Sequence, residues 1–240
     1  MTHNHSNIRS NRVVLDYRAH KETIEELNNL GFVVVPSLKL TNLYNAIDGH
    51  CDIQLFKCDD GIIVAPEAYD YYKSKLADIS IIKGSKSLKS EYPHDIAYNS
   101  VNLENYIICN RLHTAIEILE YGVRYSKKIL NVRQGYAKCS VCIVNGNAVI
   151  TADKSIIKIC KENKIDVLEI NQGYIELNGM DYGFIGGVTG LINKTTLAVN
   201  GELKTHPDCN NIISFCKNYN VDIVELKKGN LYDVGSIFVI

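Results

Sequence analysis

The 240-residue sequence has little net charge: 26 Lys and Arg stand against 27 Asp and Glu, a formal net charge of −1. It also lacks long blocks of either sign. A near-neutral chain of mixed charge has no electrostatic reason to seek nucleic acid or an anionic membrane surface. No apolar run approaches the roughly 18–20 residues that span a bilayer. The opening Met1-Thr2-His3-Asn4-His5-Ser6-Asn7 is polar and lacks the apolar stretch of a secretory signal. Residues 1–9 are therefore expected to be a disordered lead-in and residues 10–240 the folded domain. A disulfide framework is not expected either. The eight cysteines belong to a long chain that is 46% hydrophobic, and most sit inside apolar stretches such as Ile108-Cys109 and Phe215-Cys216. They read as reduced thiols of a cytoplasmic protein.

What is present is a repeat. Asp59-Asp60-Gly61 joins the apolar stretch ending at Phe56 to Ile62–Pro66 as a hairpin. A helix is expected from about Glu67 to Leu76, then a strand at 79–84. The same strand, strand, helix, strand order recurs over 93–132, with its helix over 114–125 and Ile116, Leu119 and Val123 on one side. It recurs over 138–170, where Asn145-Gly146 reads as a type I′ hairpin turn, and again over 184–226. Corresponding positions lie about 44–48 residues apart, and such a period signals a repeat architecture. The first unit, Val13–Leu15, a helix over 20–30 and Phe32–Pro36, lacks an opening strand. The tail Asp233–Ile240 supplies one. Five ββαβ units closed end to end form a ring, which has no terminal repeat to cap and no exposed apolar edge at the C-terminus.

The opening strand of the second unit, His50–Phe56, carries the chemistry. In an extended strand His50, Asp52 and Gln54 share one face, and a histidine beside a carboxylate can act as an oriented general base. Asp95 and Asn99 are the equivalents one unit later. Two units later comes Lys138–Val144, with Cys139 and Cys142. If Lys138, Ser140 and Cys142 share the axial face, Cys142 is the functional thiol; in the other register it is Cys139. Cys-x-x-Cys spacing on a strand points the two thiols to opposite faces, so no metal or other cofactor is expected. Asp233 and Asp181 add carboxylates at the rim. Gly186-Gly187-Val188-Thr189-Gly190 lacks the lysine of a phosphate loop and reads as a close backbone approach at the crowded centre.

The runs His50–Phe56, Gly135–Ser140 and Phe184–Gly187, with the five-unit ring, resemble the pentein superfamily of guanidino-group-modifying enzymes. This is the superfamily of arginine deiminase, dimethylarginine dimethylaminohydrolase and the amidinotransferases. The resemblance is strongest to a clostridial-type bacterial branch. It implies an α/β, five-bladed pentein propeller with pseudo-fivefold symmetry, closed by the C-terminal strand. In those enzymes a cysteine attacks the guanidinium carbon, a histidine within His-x-Asp moves protons, and carboxylates hold the cation. His50-x-Asp52 is similar to that motif. The implied activity is hydrolysis or transfer at an amidine-like C–N bond of a small cationic substrate. Cys142, His50 and Asp52 would be catalytic, and Gln54, Asp95, Asn99, Lys138, Cys139 and Asp233 would bind substrate. The enzymes place their cysteine near the C-terminus, where this chain has Gly235-Ser236. The alternative is a catalytically silent propeller that binds a small ligand or a protein.

Overall fold

A computed structural model describes residues 11–240; the lead-in assigned to residues 1–9 lies outside the described residues. The first unit comprises β1 (Arg12–Leu15), α1 (Lys21–Asn29) and β2 (Val33–Pro36). The second comprises α2 (Cys51–Gln54), β3 (Leu55–Lys57), β4 (Ile62–Val64), α3 (Tyr69–Lys75) and β5 (Ile81–Lys83). The third has β6 (Val101–Asn102), β7 (Tyr106–Cys109), α4 (Ile116–Arg124) and β8 (Lys128–Asn131). The fourth has α5 (Ala137–Ser140), β9 (Cys142–Asn145), β10 (Ala148–Thr151), α6 (Lys154–Glu162) and β11 (Asp166–Glu169). The fifth has α7 (Ile185–Val188), β12 (Thr189–Asn193), β13 (Thr196–Val199), α8 (Cys209–Asn218) and β14 (Asp222–Glu225), and the chain ends on β15 (Phe238–Val239).

These strands form five three-stranded sheets, each with its first strand antiparallel and its last strand parallel to the central one. The ring closes as the repeat requires: β15 pairs antiparallel with β1, Val13 opposite Val239 and Val14 opposite Phe238. Val13, Val14 and Leu15 are completely buried, and each such side chain contributes roughly 1.5–3 kcal/mol of transfer free energy. The terminal strand is thus part of the core. Around the axis, β9 and β15 each pack against β12, and β3 against β6.

The helices cover the sheets because their apolar residues recur at helical spacing. In α6 Ile156, Ile157 and Cys160 are buried, and Asp153 caps the helix by accepting from the Ile156 amide at 2.9 Å. In α4 the buried set is Ile118, Tyr121 and Gly122, whereas Ile116 and Val123 are exposed. The apolar stripe of Ile116 and Val123 is not the buried face, because the helix approaches the sheet at Gly122: Ile129 and Ile107 pack where its side chain would be. The hairpin between β9 and β10 forms, but neither Asn145 nor Gly146 has positive φ, so its turn is not type I′, and a bulge at Ala148 and Val149 absorbs the register.

The largest departure from the sequence expectation lies at the axis. The strands expected over 50–56, 138–144 and 184–192 begin as single helical turns, α2, α5 and α7, and become extended afterwards. In the third unit only Val101 and Asn102 of the first strand pair, and residues 93–99 turn. Five strands converging on one axis leave little room for ladder bonds at their inner ends. The turns satisfy the backbone another way: Ile53 donates to the His50 carbonyl at 3.2 Å, and Asp52 donates across blades to the Gly235 carbonyl at 3.1 Å. Glycine permits this crowding. A side chain on Gly186 would run into the backbone of Lys138, Cys139 and Val141, and Gly235 adopts φ +64° against His50.

Candidate active site at the turn end of the axis

Residues two apart on a helical turn diverge by about 200°, so α2 disperses the polar row instead of aligning it. Gln54 leaves the axis: its Nε2 donates to the carbonyls of Leu38 and Asp48, and its Oε1 accepts from Tyr72 Oη at 2.8 Å. His50 and Asp52 stay at the centre, 1% and 0% exposed. Asp52 Oδ2 accepts from Cys139 Sγ at 3.0 Å and lies 2.7 Å from Ser236 Oγ, while its Oδ1 is buried without a partner. One ligand atom each from His50, Asp52 and Cys139 can be chosen within 4.8 Å of one another. This donor set has the size of a metal site, but it offers three ligands of mixed softness.

Of the two candidate thiols, the structure brings Cys139 to His50. Cys142, the first residue of β9, packs in the core with Val144, Ile150, Val188 and Cys216. Burial pushes its thiol up to about 11. The helical turn α5 explains the difference. The strand register that would have aimed Cys142 at the axis begins only after Ser140.

Asn99 fixes the cysteine. Its Oδ1 accepts from the amides of Lys138 at 2.7 Å and Cys139 at 3.2 Å, and its Nδ2 donates to Cys139 Sγ at 3.1 Å and to the Asp52 carbonyl at 3.0 Å. Lys138 lies beneath, its Nζ donating to Ser236 Oγ at 2.8 Å and to the Gly186 carbonyl at 3.3 Å.

Two carboxylates flank the imidazole. His50 Nδ1 lies 3.8 Å from Asp233 Oδ1, and Nε2 lies 3.9 Å from Asp16 Oδ2. Both separations exceed hydrogen-bond length, and Nδ1 is buried without a partner. Asp233 is held by the amides of Phe184 at 2.8 Å and Gly235 at 2.9 Å. Burial still raises its pKa, with His50 opposing and Asp52 adding to the rise. Burial is also the main reason the Cys139 thiol is pushed well above its ordinary value, followed by the charges of Asp52 and Asp233.

A cavity of about 180 Å³ opens above His50, Cys139 and Asp233. Its walls are Tyr44, Tyr136, Tyr182 and Phe184, with Met180 and the exposed Asp181 at the mouth. Tyr136 Oη donates to Asp95 Oδ2 and lies 3.0 Å from Tyr44 Oη. Asp95 is therefore behind the aromatic wall. Its Oδ1 has no partner and burial raises its pKa.

The sequence pattern does not single out Asp16, Tyr44 or Tyr182, and Tyr136 enters it only within the Gly135–Ser140 run. Asp16 follows a short strand in a unit with no histidine, and its only local signal is Arg18, whose Nε and Nη2 grip it at 2.9 and 2.7 Å. The tyrosines arrive from connecting segments that the repeat does not specify.

The fold and this convergence of turns define the class of protein: a pentein α/β propeller. The chain is similar over 90% of its length to dimethylarginine dimethylaminohydrolase from Pseudomonas aeruginosa, in a cysteine-to-serine mutant complexed with citrulline. There the TM-score is 0.57, the identity 6% and the coverage of that chain 92%. It is similar to an amidinotransferase of the saxitoxin biosynthetic pathway from Microseira wollei, with TM-score 0.51, 12% identity and coverage of 89% and 87%. It is also similar to inosamine-phosphate amidinotransferase from Streptomyces griseus, with TM-score 0.51, 11% identity and coverage of 90% and 88%. At these identities the likeness is one of fold. Comparison with the curated proteins finds no match. A family model matches residues 14–238, and the chain belongs to that family, described as Family of unknown function (DUF6873). Among the described residues no helix is long and apolar enough to cross a membrane.

Proposed function

We propose that this protein is a cysteine-dependent enzyme acting on an amidine-like C–N bond of a small cationic substrate, with Cys139 as the nucleophile in place of Cys142. The observation that carries the reading is the meeting of Cys139, His50 and Asp52 at the floor of an aromatic-walled cavity. A planar cation suits this cavity: aromatic faces attract it from the sides and carboxylates from below. The guanidine chemistry that the structural neighbours' names describe supports the same class.

The raised thiol gives the reaction an order. Without a cation, a thiolate beside Asp52 and Asp233 is costly, so Cys139 rests protonated. A guanidinium entering the cavity offsets those charges and lowers the cost of the thiolate. The thiol proton passes to His50 and the sulfur attacks the central carbon. The C–N bond breaks as His50 returns the proton to the departing amine, leaving an amidino group on sulfur. Water then attacks that carbon with His50 as base, the C–S bond breaks, and the thiol is restored beside a ureido product. An acceptor amine in place of water gives transfer. Asp52 and Asp233 stabilise the cation, Asn99 positions Cys139, and Gln54 supports the turn from outside.

The test is intact-mass analysis during turnover of a panel of guanidino compounds, with product detected as ureido compound or new guanidine. The expected result is product together with an amidino adduct on Cys139, both abolished in Cys139→Ser and retained in Cys142→Ser. Binding of the same compounds with no product and no adduct would show a silent binding propeller instead.

A further inference from the structure

The opposite end of the axis holds a second cavity, of about 370 Å³, outside the site described above. It is built from the first strands of all five blades: Lys57 in β3, Asn102 in β6, Ile143 in β9, Gly190 in β12 and Phe238 in β15. Lys138 lines it from the inner end, with Nζ 5.4 Å from the centre of the Phe238 ring.

The charges of this cavity do not balance. Its one carboxylate, Asp59, is taken by Lys127 from outside at 2.8 Å. Among the described residues Lys57 Nζ has no hydrogen bond or ion pair. Burial lowers its pKa, with the charge of Asp59 opposing the shift and that of Lys138 adding to it. Two ammonium groups thus line one cavity whose single lining carboxylate is already engaged by a third lysine, so an anion entering between them is favoured. Ser100, 4% exposed, also lines the cavity, with its hydroxyl beside the Cys109 thiol. One wall is apolar, made by Ile143, Leu191, Ile237 and Phe238. That wall favours an organic tail over a fully hydrated inorganic ion.

We infer that this axial cavity binds a small organic carboxylate, with the carboxylate between Lys57, Lys138 and Ser100 Oγ and the tail on the Ile237–Phe238 wall. The inference is independent of the chemistry proposed at the opposite end, and its test reads binding, not turnover.

Calorimetric titration of the full chain with hexanoate, benzoate, hexylamine and inorganic phosphate tests it. The expected result is saturable binding of hexanoate or benzoate, weakened at least about tenfold in Lys57→Met and unchanged in Cys139→Ser. Absence of carboxylate binding at millimolar concentration, phosphate binding as tight as hexanoate, or undiminished binding by Lys57→Met would overturn it. A second measurement needs no variant. Reductive labelling of wild-type lysines by pyridoxal phosphate, mapped by mass spectrometry, should modify Lys57, and hexanoate should protect it. Modification of Lys57 that hexanoate leaves unaltered would equally overturn the assignment.

Discussion

The two ends of the propeller axis are built from the same five first strands yet carry opposite charge. At the turn end Asp52, Asp233 and Asp16 gather around one histidine and one thiol, with Asp95 behind the aromatic wall. At the strand end Lys57 and Lys138 gather around an apolar wall. The partition between them is a single relay: Lys138 donates to Ser236 Oγ at 2.8 Å, and Ser236 Oγ meets Asp52 Oδ2 at 2.7 Å. The difference teaches that helical turns and strands use the same sequence stretch differently. The turn places its polar residues among neighbouring blades, where carboxylates can be held by backbone amides. The strand below alternates and brings Lys57 to the lower cavity, which Lys138 reaches from the turn α5.

The comparison breaks most severely if the partition is removed. Lys138→Met deletes the cation beneath a buried carboxylate, and loss of one partner of a buried charge pair typically costs about 3–5 kcal/mol. The expected outcome is a large fall in melting temperature. A change too small to resolve would show that Asp52 does not depend on Lys138.

A smaller effect separates Asp95 from the thiol. Tyr136→Phe removes the donor to Asp95 Oδ2, whose other oxygen is already unpartnered, at a cost of about 1–3 kcal/mol. The pH dependence has a definite sign. Burial raises Asp95 above the ordinary carboxylate value, so the folded state keeps that proton longer than the unfolded state does. Stability from this group therefore falls as pH rises from the ordinary Asp value through the raised one. The lost phenol hydrogen bond matters most above that window, so the variant's deficit in chemical denaturation should shrink as the pH is lowered through it.

The smallest expected effect sharpens the electrostatic reading of Cys139. Asp52→Asn removes a charge that raises the thiol pKa. At a fixed pH below that pKa the thiolate fraction grows about tenfold per unit lowered. Neutral iodoacetamide should therefore alkylate Cys139 faster in Asp52→Asn than in the wild type, while a cationic haloacetamidine should lose its advantage. Equal rates for both reagents in both proteins would remove Asp52 from the site's electrostatics.

Much of the fold was legible because repetition amplifies weak signals. Each blade's apolar stretches are short, but five copies at one period, with Val13–Leu15 lacking a partner and the tail supplying it, allowed one topology. His50-x-Asp52 was legible as a pair of residue types. The thiol was less so. Its choice depended on local backbone state, and propensity did not distinguish a strand from a helical turn over Ala137–Ser140, because axial crowding and the Asn99 bonds to the Lys138 and Cys139 amides decide it. Asp233 was legible only through ring closure, which sets the C-terminal segment beside His50 although 183 positions separate them. Closure also bears on the order of site residues. In a ring, moving the chain ends from one blade boundary to another leaves the spatial site unchanged. His50 and Cys139 keep a two-unit separation, while Ser236 occupies the C-terminal position where the resemblance leads one to look for a cysteine.

The central claim is that Cys139, and not Cys142, is the thiol poised for a planar cation. It is tested most directly by exposing the full chain to chloroacetamidine near neutral pH and mapping the adduct by peptide mass spectrometry. The account predicts modification of Cys139, faster than by iodoacetamide, and an unmodified Cys142. Preferential modification of Cys142, or a Cys139 that reacts no faster with the cationic reagent than with the neutral one, would contradict it.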